Sequence, residues 1–250
     1  MRHLTLAAAA ALLVAAAALP AAAAPTPANI ATAVAHPARP AEDVARDSTR
    51  KAAEMLTFAE IRPGQTVVDI VPGGGYFTRV FAVAVGPKGK VIAYVPTELA
   101  AKYESEANAR KLAAAYPNVE AVVHPMGGTP ALGIADVVWT AQNYHDFHTA
   151  LFGPPDVARV NKAIFDVLKP GGLYIVVDHV AEEGSGIRDA NKLHRIDPET
   201  VKSEIVAAGF VFEGESNALR NRDDKHGASV FHESIRGRTD QFVYKFRKPK

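Results

Sequence analysis

The sequence predicts an α/β fold: a doubly wound, mostly parallel sheet with an antiparallel last strand. Three observations predict it. Short β-branched runs alternate with helical patterns from residue 65 onward, which marks successive βαβ units. The runs VVDIV (67–71) and YIVVD (174–178) are apolar apart from one acid each, as expected of strands covered on both faces. A long polar loop joins the last two strands, so that pair reads as antiparallel.

The elements follow in order. Glu42–Ile61 carries a helical pattern broken near Asp47–Ser48, with Ser48 as the expected N-cap. After the turn Arg62–Pro63–Gly64, Gln65–Val71 is a buried strand. The glycine-rich turn Pro72–Gly75 leads into a helix, Tyr76–Val85. Lys90–Val95 is the second strand, Glu98–Ala115 a long polar helix, Val119–His124 the third strand and Ala135–Thr140 the fourth. Asp156 opens a helix whose stripe is Val157, Val160, Ile164, Phe165 and Leu168, and Pro170–Gly171–Gly172 stops it. Leu173–Asp178 is the fifth strand. Asp197 and Pro198 form an N-cap and first-turn pair. Val201, Ile205 and Ala208 make the buried face of that helix, and Gly209 ends it. Phe210–Glu215 and Gln241–Phe246 are the last two strands.

The 250 residues divide unevenly. Residues 1–24 hold 13 alanines and a single charge, Arg2. A short basic start, the apolar run Leu4–Leu19, Pro20 and the small residues Ala21–Ala24 follow the order of a secretory signal, cleaved near Ala23. The expected location is therefore periplasmic or secreted, with no stable membrane insertion after cleavage. Residues 25–41 are rich in Ala and Pro and read as a flexible linker. Residues 42–249 form the folded domain. Without Arg2 the formal charge falls from +1 to 0, so no basic field draws the chain to nucleic acid or acidic lipid. The chain has no cysteine, which excludes disulfides, zinc–thiolate sites and cysteine nucleophiles.

The stretch VVDIVPGGGY (67–76) joins the first strand to its helix. Ligands of doubly wound sheets bind outside the carboxyl ends of the strands. Glycines there allow close backbone approach and positive φ. The helix start offers free N–H groups to a carboxylate or phosphate, and Asp69 can accept a hydrogen bond from an ammonium group. Together they suit a ligand bearing both a carboxylate and an amine. The dinucleotide pattern G-x-G-x-x-G is not met, because Thr78 stands where its third glycine belongs.

At these residues the chain resembles the class I S-adenosylmethionine (SAM) dependent methyltransferases, and more narrowly a family of bacterial methyltransferases that often carry export signals. The resemblance runs from Ala41 to Pro249. It rests on VVDIVPGGGYFT, ADVVWTAQNYHDFH, LKPGGLYIVVDH, LHRIDPETVKSEIVAAGF and RGRTDQFVYKFRKP. It implies a Rossmann-like seven-stranded sheet in the order 3-2-1-4-5-7-6, with SAM as cofactor. By this resemblance Asp69, Gly73, Gly74, Gly75 and Tyr76 belong to the first SAM motif. Val71 replaces its first glycine, so a negative φ is expected there. The acid that grips the ribose at the end of strand 2 is missing from Tyr94–Val95–Pro96, and Glu98 is the candidate substitute. Met126 and Gly127 fall where such proteins contact adenine.

Methyl transfer needs an aligned acceptor and, for oxygen or nitrogen acceptors, removal of a proton. His145 is the first candidate base, with Asp146 or Asp178 orienting it, and His179 is the second. His148 and His194 fall in segments expected at the same edge. Tyr76, Trp139 and Tyr144 are candidates to face the sulfonium through cation–π contact. A metal held by His145, His148, Asp178 and His179 is a sharper variant, and no metal is expected. The leading reading is methylation of a small molecule. The alternatives are an exported, non-catalytic ligand-binding relative and a nicotinamide-dependent oxidoreductase.

Overall fold

The computed structural model describes residues 25–128 and 133–250. The candidate signal 1–24 lies outside them. Four short helices come first: α1 (Ala28–Val34), α2 (Ala41–Val44), α3 (Asp47–Arg50) and α4 (Ala52–Phe58). The sheet begins with β1 (Thr66–Ile70), followed by α5 (Tyr76–Val85), β2 (Lys90–Pro96), α6 (Ser105–Ala115), β3 (Val119–His124) and β4 (Ala135–Ala141). Then come α7 (Val157–Val167), β5 (Leu168–His179), α8 (Ala190–Leu193), α9 (Pro198–Ala207), β6 (Val211–Glu215) and β7 (Gln241–Arg247). The strands lie in the order β3-β2-β1-β4-β5-β7-β6. Only β7 runs against its neighbours, pairing antiparallel with both β5 and β6. Among the described residues no helix is long and apolar enough to cross a membrane.

Side chains alternate across the sheet as period two requires. Val67, Val137, Trp139, Ile175 and Val177 pack with α1, α4 and α5 on one face. Val68, Val138, Tyr174 and Val176 pack with α7 and α9 on the other. By the same alternation Asp69 falls on the α5 face and Asp178 on the α7–α9 face. The caps Asp156 and Asp197 form as expected, each accepting from a backbone N–H of the first turn, Arg159 and Glu199 respectively.

Several expectations need correction. Residues 25–41 are not a free linker: α1 buries Ile30 and Ala33 completely, and Asn29 donates to the Ile61 and Ala84 carbonyls. Alanine is too weakly apolar for that face to stand out in the sequence. The next helical stretch breaks twice, at Ala45–Arg46 beside the expected Asp47–Ser48 and again at Lys51, in the left-handed region at φ 51, and Ser48, inside α3, caps nothing. The polar helix starts only at Ser105, because Tyr103 and Glu104 are left-handed. Pro170–Gly171–Gly172 lies within β5, as a bulge where the register to β4 jumps between Ala135 and Val137. Leu168 is consequently a strand residue.

Candidate functional site

The Pro72–Gly75 loop opens a cleft of about 210 Å³ at the carboxyl ends of β1 and β4. Asp69, Gly73, Gly74, Tyr76, Arg50 and Asn143 are among its walls. Pockets for a whole ligand usually span about 300–1,000 Å³, so this cleft takes one end of a ligand. No side chain caps α5, and the N–H groups of Tyr76, Phe77 and Thr78 lack intrahelical partners. Asp69 is buried and accepts a 2.6 Å hydrogen bond from the Thr78 hydroxyl. Burial pushes its pKa up to about 7, against the opposing effects of Thr78 and Arg50.

The glycines have different duties. Gly73 (φ 56) and Gly74 border the cleft with open space beside them. Gly75 does not line it. At φ 83 it precedes α5, and a Cβ there would stand 2.6 Å from the Leu112 methyl groups. Val71 overturns the expectation of negative φ. It sits at φ 54, an outlier for a β-branched residue, while its N–H bonds the Tyr94 carbonyl at 2.9 Å.

The N-terminal helices roof this cleft, which the sequence did not foretell. Arg39 grips Asp47 through two hydrogen bonds, and the Tyr76 hydroxyl donates to the same carboxylate at 2.6 Å. Arg79 pairs with buried Asp43 at 2.7 Å. Arg50 reaches over the rings of Tyr76 and Phe77, at 5.8 and 5.9 Å from their centroids. Among the described residues its guanidinium has no hydrogen bond or ion pair. Burial, reinforced by Arg46, lowers its pKa to about 10. A cation without an anionic partner therefore faces the same cleft as Asp69 and the start of α5. Its only sequence signal was an arginine in a polar helix.

The other candidate cofactor residues lie apart. Met126 and Gly127 line a separate apolar cavity of about 30 Å³ with Ile70, Tyr94 and Val138. Glu98 accepts from the Met126 N–H at 3.2 Å, tying the end of β2 to the end of β3. Tyr76 is spent on Asp47 rather than aimed at a sulfonium. Trp139 is fully buried against Phe77 and Phe81. The Tyr144 hydroxyl donates to Glu204 and accepts from Asn161. The last two are core residues.

A second constellation forms at the carboxyl ends of β4 and β5. Asp178 is fully buried and accepts from the His145 backbone N–H at 2.8 Å, His145 Nδ1 at 2.9 Å and the His179 N–H at 2.7 Å. Asp178, not Asp146, therefore orients the ring. Burial disfavours charge on both partners, but their mutual attraction outweighs it: His145 is raised and Asp178 lowered from their ordinary values. His145 Nε2 faces His194 Nδ1 at 3.2 Å and Asp146 Oδ1 at 3.4 Å. Burial pushes Asp146 up to about 6. His179 is not part of this group. Its Nδ1 meets the Thr239 hydroxyl at 2.8 Å, and burial drives its pKa down to about 3. His148 turns to Glu204 on α9. The combination of His145, His148, Asp178 and His179 thus does not converge on one metal position, whereas ligand atoms of His145, Asp146 and His194 lie within 4.8 Å of one another.

Comparison with known proteins bears on this arrangement. The profile of the protein-L-isoaspartate(D-aspartate) O-methyltransferase family matches residues 37–211. A protein-L-isoaspartate O-methyltransferase of Ignicoccus hospitalis is 29% identical over 163 residues, covering 64% of this chain and 67% of that protein. A ubiquinone/menaquinone biosynthesis C-methyltransferase of Cupriavidus metallidurans is 29% identical over 128 residues, 49% of this chain and 46% of its own length. The chain thus spans about half of that relative. Among solved structures, a SAM-dependent methyltransferase from Aquifex aeolicus superposes with a TM-score of 0.59 at 17% identity, covering 81% of this chain and 92% of that one. An S-adenosylmethionine-dependent methyltransferase from Mesorhizobium loti gives 0.56 at 16% identity, covering 81% and 100%. At such identities the structural likeness speaks for the fold.

Proposed function

The chain belongs to the protein-L-isoaspartate(D-aspartate) O-methyltransferase family; from that premise we propose that it is a SAM-dependent methyltransferase, and how it holds its methyl donor and what it methylates. The unpaired Arg50 guanidinium, across the cleft from Asp69, carries the proposal. A carboxylate of the donor's amino-acid end lies against Arg50 and the free N–H groups of α5, and its ammonium against Asp69. Charge-assisted hydrogen bonds of this kind contribute about 1.5–3 kcal/mol each.

When bound, SAM supplies a sulfonium methyl group for in-line displacement. The chain aligns the acceptor and manages its proton. Without a metal, His145 Nε2 takes the proton of an oxygen or nitrogen acceptor. Asp178 holds the ring in orientation through Nδ1 and stabilises the charge that results. The acceptor is a small molecule. This reading is supported by the zero formal charge of residues 25–250 and by strand-end segments that leave no separate recognition domain between residues 42 and 249.

A second reading, ligand binding without methyl transfer, draws on one observation: Tyr94, Val95 and Pro96 put no acid at the end of β2. Calorimetric titration with SAM tests the donor site. The wild type is expected to bind, Arg50→Gln to bind roughly 10-fold more weakly, and Gly74→Val to lose binding with an unchanged melting temperature, since space for its side chain is open. No binding by the folded wild type would overturn the donor site. Binding without solvent turnover of SAM under any acceptor panel would favour the second reading.

A further inference from the structure

We propose that His145 Nε2, His194 Nδ1 and Asp146 Oδ1 bind a divalent ion of the zinc class, leaving one coordination position open to solvent. The proposal goes beyond methyl transfer and does not depend on SAM binding. The three atoms come from two distant segments and are separated by 3.2, 3.4 and 3.8 Å. A point equidistant from them lies about 2.0 Å from each, the length of zinc bonds to imidazole and carboxylate. Tetrahedral ligands at about 2.1 Å stand about 3.4 Å apart, within the observed range. An octahedral ion with similar bonds would need neighbours about 3.0 Å apart, closer than any of the three pairs. Two imidazoles and one carboxylate suit zinc better than magnesium or calcium, which favour oxygen alone.

The surroundings pre-arrange these ligands. Asp178 accepts from His145 Nδ1, the carboxylate–histidine support that fixes a metal-binding ring and leaves its Nε2 lone pair free. His194 occupies the left-handed region at φ 55 directly after α8, which turns its ring toward His145. The next residue, Arg195, is fully buried, bonded to the Val180 carbonyl at 3.0 Å and paired with Asp224 at 2.9 Å. That anchor pins the backbone carrying His194. On the inner side His145 is 3% exposed, while Asp146 and His194 are 14% and 32% exposed. The fourth position therefore opens outward, as in zinc sites that act on a substrate. With the ion in place His145 Nε2 is a ligand. An acceptor hydroxyl then binds the ion as its oxyanion, its proton passing to solvent.

The test uses the full folded protein, stripped with a chelator and titrated with zinc in competition with a chromophoric chelator. One equivalent is expected to bind. His194→Ala and Asp146→Ala each remove a direct ligand and should weaken it by more than about 100-fold, beyond the roughly 10- to 100-fold lost when only an outer-shell partner of a ligand is removed. His36→Ala, which removes a histidine of the N-terminal segment, should leave it unchanged. Cobalt in place of zinc should give the intense visible absorption of a four-coordinate ion. No bound equivalent overturns the proposal, as does binding that survives both His194→Ala and Asp146→Ala. Circular dichroism of the variants separates loss of ligands from loss of fold. SAM titration of the same stripped protein tells a failure here from a failure of the donor site.

Discussion

Two aspartates near the carboxyl ends of strands, Asp69 on β1 and Asp178 on β5, are both buried and both lie beside a candidate site, yet their ionisation moves in opposite directions. Asp69 has one hydroxyl partner, Thr78, and a guanidinium nearby that makes no direct bond to it. Burial dominates and pushes it up to about 7. Asp178 receives two backbone N–H groups and an imidazole, which hold it below its ordinary value. The difference separates a group that lacks a strong partner from one that already has its partners. Asp69 suits a cationic ligand that arrives and leaves. Asp178 suits a permanent support for His145.

The largest expected effect tests the support. Asp178→Ala leaves a buried imidazole and two buried N–H groups without their acceptor. Breaking one partner of a buried charged pair costs about 3–5 kcal/mol. Denaturant unfolding at pH 7 should show a loss of that size. The pair also sets a pH window. Asp178 is lowered, so its contribution is present above about pH 4, its unfolded value, and disappears as pH falls through its folded pKa. His145 is raised, so its contribution is complete below about pH 6.5 and disappears as pH rises through its folded pKa. A loss under about 1 kcal/mol would place the pair in solvent and remove the contrast with Asp69.

Asp69 should respond in the opposite sense. Its raised pKa means that the folded state binds the proton more tightly than the unfolded chain does. Stability is therefore greatest below its unfolded pKa near 3.8 and declines as pH rises toward about 7. Asp69→Asn removes the ionisation and should stabilise the free protein at pH 8 by roughly 2–4 kcal/mol. The gap should close at pH 4. The same variant should bind SAM more weakly, because the ammonium loses its carboxylate. A stability gap that does not change with pH would show that Asp69 is solvated, and the comparison would fail on that side.

The two regions also differ in how far the sequence exposed them. Asp69, Gly73, Gly74 and Tyr76 are almost consecutive, and strand–turn–helix chemistry alone points to them. Arg50 was missed because its place depends on how α3 packs over α5, a contact between segments that carry no shared pattern. At the other site the motif order located His145 and Asp178, but not which acid orients the ring. The strand's parity holds part of the answer: Asp178 shares its face with Tyr174 and Val176, and His145 follows β4 onto that side. His194 reaches the group only through the left-handed turn after α8, which leaves little trace in the sequence. The strands themselves were legible because hydrophobic runs and turn residues report them directly, while their order across the sheet was implied by the family resemblance. The helix α1 was not, since alanine makes a weak pattern even where it is fully buried.

The smallest effect concerns Val71, where the glycine-loop region departs from its expected backbone. An L side chain in the left-handed region costs about 1–2 kcal/mol, and β-branching adds crowding. Val71 also packs its half-buried side chain against the core on the α7–α9 face. Val71→Gly relieves the strain but forfeits that packing and adds chain entropy to the unfolded state, so its net change should stay within about 1 kcal/mol. Val71→Ala forfeits the same packing and keeps the strained φ. Glycine should therefore exceed alanine at this position by about 1 kcal/mol, the reverse of their usual order inside a helix or strand. Urea midpoints of the two variants measure the difference. Alanine equal to or above glycine would place residue 71 at negative φ, and the turn into the cleft would then have the relaxed backbone that the sequence predicted.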